Sequence, residues 1–114
     1  MPHFVVDCSE SILLIHDENV INEQIHIVAN STGLFEESDI KVRVNPFKTY
    51  IVGNKKEDFI HVFSNIMEGR TTEQKANLSK VIVKRLTEMF PNIRNVAINV
   101  RDFEKATYCN KSML

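Results

Sequence analysis

The chain has 114 residues, 43% hydrophobic and 25% charged, with a formal net charge of -1. That is the size of one domain (1–114) and the balance of an ordinary globular protein, with much surface for its core. So small a net charge gives no overall field to draw in nucleic acid or an anionic membrane, and any basic site must be local.

Cys8 and Cys109 form no C-x-x-C pair and no disulfide framework, which points to a reducing compartment. No basic stretch followed by an apolar run opens the chain, and nothing approaches the ~18 apolar residues of a membrane span. A cytoplasmic location is expected, with neither membrane nor nucleic acid as partner.

"PHFVVDCS" (2–9) contains a β-rich, mostly apolar run that reads as a strand over 3–9. Proline has no N–H for a sheet ladder, so Pro2 is tolerated as a strand's first residue or at an edge. The other reading is that Met1 is removed, which leaves a free secondary amine at the end of a rigid strand. "SILLIHDEN" (11–19) reads either as a loop packed under the sheet or as the first turn of a helix. Ile21, Ile25 and Val28 then fall on one helical face, after the cap-competent run Asp17-Glu18-Asn19 and before a stop at Thr32-Gly33.

"DIKVRVN" (39–45) alternates, with Ile40, Val42 and Val44 on one side and Lys41, Arg43 and Asn45 on the other. After Pro46, "FKTYIVG" continues or bends the extended segment. "GNKKED" (53–58) has hairpin-loop chemistry, and "FIHVFSNI" (59–66) returns as a strand. Thr71 and Gln74 fit a capping box, and Leu78, Val81, Ile82, Leu86 and Met89 trace an apolar stripe that stops at Phe90-Pro91. "NVAINVR" (95–101) alternates again, and the tail 102–114 has no strong period.

The order is β-α-β, hairpin, β-α-β, in halves of similar plan at 2–45 and 59–101. The expected fold class is α+β (α/β): two tandem β-α-β units making a four-stranded mixed sheet, with two helices on one face. The other face is then uncovered, so a homo-oligomer is expected. A ferredoxin-like module has the same linear order with another strand arrangement and stays open.

No nucleophile elbow, phosphate-binding loop or dinucleotide fingerprint is present. His3, His16, His26 and His61 show no metal-ligand spacing and read as structural or solvated, so neither metal nor cofactor is expected. Glu57-Asp58, beside Lys55 and Lys56, reads as a solvated turn. Two cationic features remain. Lys41 and Arg43 share one strand face, where like charges repel unless solvent or an anion lies between them; an exposed edge whose lysine deters aggregation is the alternative. Arg70 follows Gly69 at a strand-to-helix turn, beside a helix N-terminus that favours anions. A guanidinium there fits carboxylate binding, or is a plain surface arginine.

"GRTTEQK" (69–75), between a strand and a helix, resembles the G-R-x-x-E-Q-K signature of 4-oxalocrotonate tautomerase-type enzymes. With "PHFVVDCS" and the doubled β-α-β plan, residues 2–102 resemble the 5-carboxymethyl-2-hydroxymuconate isomerases of the tautomerase superfamily. The resemblance implies a tautomerase-like fold, a homotrimer and a cofactor-independent enol-to-keto isomerase in aromatic-compound catabolism. Its substrate would be a small unsaturated oxo-di- or tricarboxylate. Pro2, freed by loss of Met1, would be the general base, and Arg70 would bind a substrate carboxylate. On the second strand the family's usual Arg-x-Arg becomes Lys41 and Arg43, so the first position keeps its charge and gives up the planar fork. Another tautomerase activity, for example on phenylpyruvate, and a non-catalytic ferredoxin-like anion-binding module are the alternatives.

The chemistry suits a base at Pro2. Apolar surroundings and the cations Lys41, Arg43 and Arg70 disfavour a charged amine, and a neutral amine can accept a proton. The same cations stabilise a dienolate. Phe4, Phe47 and Tyr50 are candidates for a cavity wall or for core packing.

Overall fold

The computed structural model describes all residues 1–114. Its elements are β1 (His3–Ser9), α1 (Glu18–Ser31), β2 (Lys41–Phe47), β3 (Phe59–Met67), α2 (Thr72–Met89) and β4 (Asn95–Phe103). "SILLIHDEN" begins as a 3-10 turn, Glu10–Leu14, which buries Ile12 and leaves Leu14 91% exposed. Neither helix is long and apolar enough to cross a membrane.

Local chemistry explains the helix ends. The Asp17 carboxylate accepts the Val20 N–H at 2.9 Å to start α1, and Gly33, at φ +72°, takes the chain out of it. At α2 the Thr71 hydroxyl accepts the Gln74 N–H at 3.1 Å, and the Gln74 side chain accepts the Thr71 N–H at 2.9 Å. Two orphan donors are satisfied reciprocally. The helix closes at Phe90, ahead of Pro91.

The sheet order is β2-β1-β3-β4. β1 runs parallel to β2 and antiparallel to β3, and β3 runs parallel to β4. Each β-α-β unit keeps its two strands adjacent, unlike the split β-α-β of a ferredoxin-like sheet. One expectation is corrected: β2 and β3 are not a hairpin, because β1 lies between them. The turn at Gly53-Asn54 (φ +55° and +62°) closes only the Val52–Lys55 bridge. It is a tight positive-φ turn, but residues 48–58 spend their length crossing the end of β1, two strand spacings or ~10 Å.

Burial follows the period of two. Phe4, Val6 and Cys8 of β1 and Ile60, Val62 and Ile66 of β3 face the helices, where they meet Ile21, Ile25, Leu78, Ile82 and Leu86 in one cluster. α1 packs over β2, α2 over β4, and the two helices touch. Both helices therefore cover one face. The opposite face carries His3, Val5, Asp7, Lys41, Arg43, His61 and Phe63, the last 42% exposed.

A candidate active site at the start of the first strand

Pro2 is buried at the head of β1. Its carbonyl accepts the Lys41 N–H at 3.1 Å, the first rung between β1 and β2, so its missing N–H breaks no ladder. Met1, partly buried, has its amine 3.9 Å from a carboxylate oxygen of Asp39. That amine is held below its ordinary pKa of 8.0, first by burial and then by the Lys41 and Arg70 charges, while Asp39 pulls the other way. The chain end therefore lies within the field of two of the four residues singled out from the sequence.

Arg70 is placed by the turn at Gly69, whose φ of +117° is a conformation that L side chains rarely adopt. Its guanidinium donates to the Met67 carbonyl at 3.1 Å and to the Leu34 carbonyl at 2.6 Å. It lies 5.2 Å from the centre of the Phe35 ring, which meets Phe4 edge-on. Arg70 is thus ordered before any ligand arrives, with donors to spare from its five. Lys41 and Arg43 do not merely repel: Lys41 Nζ donates to the Asp39 carbonyl at 3.0 Å, and Arg43 donates to Nδ1 of His3 at 3.1 Å.

Pro2, Lys41 and Arg70 meet at the chain end, and Arg43 joins them only through His3. His3, Phe35, Leu34 and Asp39 are the neighbours that sequence reasoning missed. Only the parallel register that sets His3 against Lys41 would have revealed the first of them. Phe4 is core, while Tyr50 meets Phe59 edge-on and Phe47 lies tilted against it at the far end of the sheet, so within one chain none of the three walls this site.

Pro2 lines no cavity. Three of the chain's cavities lie away from the site, between the helices, against α2 and β4, and beside Ser11 and Tyr50, while a fourth of about 470 Å³, lined by Leu34 and Thr71, flanks the anchor of Arg70. Cys8 is buried, its thiol pushed up to about 12 by burial first, then by Asp7 and Glu18, so it is no nucleophile. No three His, Cys, Asp or Glu side chains gather in a way that would hold a metal.

A model of the family "5-carboxymethyl-2-hydroxymuconate isomerase" matches residues 2–109. A 5-carboxymethyl-2-hydroxymuconate Delta-isomerase of Escherichia coli is 24% identical over 106 residues, covering 91% of this chain and 84% of that protein. The crystal structure of a 5-carboxymethyl-2-hydroxymuconate isomerase from Deinococcus radiodurans R1 superposes with a TM-score of 0.84 at 18% identity, over 96% of this chain and 88% of that one. A fused 4-OT solved as a symmetric trimer gives 0.78 at 12% identity, over 96% and 91%. At such identities these structures establish the fold.

Proposed function

The chain belongs to the 5-carboxymethyl-2-hydroxymuconate isomerase family, and from that premise we propose a cofactor-independent isomerase that uses Pro2, freed of Met1, as general base. The observation that carries this reading is the placement of Pro2, bonded through its carbonyl to the Lys41 N–H at 3.1 Å, at a chain end whose Met1 amine is held below its ordinary pKa by burial first and, among the nearby charges, by Lys41 and the anchored Arg70. An amine kept neutral near working pH is a competent proton acceptor. A prolyl ring also fixes φ and aims the lone pair at little entropic cost.

The substrate class is a small unsaturated 2-hydroxy di- or tricarboxylate, such as 5-carboxymethyl-2-hydroxymuconate. Pro2 takes the proton from the 2-hydroxyl as that O–H bond breaks, leaving a dienolate. The prolinium N–H then returns the proton to carbon, which makes the C–H bond and the ketone. The proton balance closes within the substrate, so no redox partner enters. Arg70 grips one carboxylate with its planar fork, and Lys41 supplies a point charge to the developing enolate. A phenylpyruvate-type substrate, with one carboxylate, is the second reading, favoured by the single ammonium of Lys41. A homotrimer is part of the proposal, supported by the open sheet face and by the trimeric fold neighbour.

Intact mass is expected to show the loss of one methionine. Pro2→Ala is expected to keep the fold and lose at least ~100-fold in kcat on 2-hydroxymuconate-type substrates, the scale of a general base. Retention of Met1, or unchanged turnover by Pro2→Ala, overturns the assignment.

A further inference from the structure

His3 has no role in the chemistry described so far, yet it stands between the base and the outermost cation of the site. An arginine only donates hydrogen bonds, so the 3.1 Å contact from Arg43 requires a lone pair on His3 Nδ1. The imidazole is therefore neutral, with its hydrogen on Nε2. Phe103 meets it edge-on at 6.0 Å and is itself backed by Tyr108, so the ring is held from a second side.

We propose that His3 is a positioning residue, whose neutral imidazole holds the Arg43 guanidinium beside the chain end to receive a second substrate carboxylate. Protonation puts an N–H and a positive charge against the guanidinium, and Arg43 is released. Around the ring stand Lys41 and Arg43 from β2, the terminal amine, Asn65 of β3 and Phe103 of β4, with Arg101 beyond Asn65 and Tyr108 in the tail. None of them is a carboxylate; Asp39 lies 3.9 Å from the terminal amine and is not among the charges acting on His3. Burial first, then Arg43, Lys41 and the chain end, keep the His3 pKa below its ordinary 6.5. The held state therefore prevails at neutral pH, and release belongs to acid.

The proposal rests on the isomerase reading, and its test separates the two. Imidazole nitrogen NMR at neutral pH is expected to show His3 with Nδ1 bare and Nε2 protonated. With 2-hydroxymuconate, acid protonates Pro2 in every variant and lowers kcat alike, so the His3 effect is read as the ratio of the native KM to that of His3→Asn, expected to rise toward about tenfold as pH falls from ~7.5 to ~5, the effect of one guanidinium–carboxylate contact. His3→Asn places an untitratable acceptor near Nδ1 and is expected to keep a low, pH-flat KM. His3→Leu is expected to show the raised KM at every pH. A charged ring or an Nδ1–H tautomer overturns the proposal, as does native KM behaviour in His3→Leu. Sedimentation at each pH accompanies the kinetics, and a KM rise that tracks loss of assembly also overturns it. If Pro2→Ala keeps full turnover, the base assignment fails while the NMR spectrum still decides His3.

Discussion

Arg70 serves the fold as well as the site. Its two bonds tie the Leu34 carbonyl, just past α1, to the Met67 carbonyl at the end of β3. Arg70→Ala is expected to lower stability by about 1–3 kcal/mol, since two carbonyls lose their partner, and to raise KM as well. Urea unfolding reads the first effect and steady-state kinetics the second; a loss of binding with an unmoved midpoint contradicts this double role. Cys8 carries a pH prediction. Its thiol is raised by burial from 9.0 to about 12, so at intermediate pH the folded chain keeps a proton that the unfolded chain releases. That contribution is whole below pH ~9 and drains away as pH climbs toward ~12. The urea midpoint should therefore fall more between pH ~8 and ~10.5 for the native chain than for Cys8→Ala; equal falls refute the cause. At this scale Arg70 and Lys41 were legible as cations in telling places. The pairing of Arg43 with His3 was not, because residues 40 apart in sequence meet only through the β1–β2 register.

Among the elements, α2 was the most legible, because its signals are local. The capping box lies within four residues, and its apolar stripe needs only helical geometry to become a buried face. Thr71→Ala is expected to cost about 1 kcal/mol, seen as a lower urea midpoint. A midpoint within error of the native one shows that the cap bonds add no net stability. The link 48–58 misled for the opposite reason. "GNKKED" does make the tight turn its residues favour, but strand pairing is decided by which strand is most apolar. β1 buries Phe4, Val6 and Cys8 completely and takes the interior of the sheet, which leaves the alternating β2 at an edge.

At the scale of the whole molecule, the helices cover one face of the sheet and leave the other bare. Phe63 lies at its middle, beside Val5 and Asn99 in the adjacent strands. If this face closes a homotrimer, Phe63→Asp buries an unpaired charge at the contact and should yield monomers in sedimentation, with helical circular dichroism intact. A variant that stays trimeric removes this face from the interface. The fold class, the doubled β-α-β order, both helix caps and the candidate residues Pro2, Lys41, Arg43 and Arg70 follow from the sequence alone. Each depends on neighbours a few residues away, or on a short motif that resembles a family. Strand order, the absence of a β2–β3 hairpin, the anchoring of Arg70 by distant carbonyls and the His3–Arg43 pair were decided only by the tertiary structure. Those features join residues far apart in the chain, and the burial of β1 as a central strand is the physical event that brings them together.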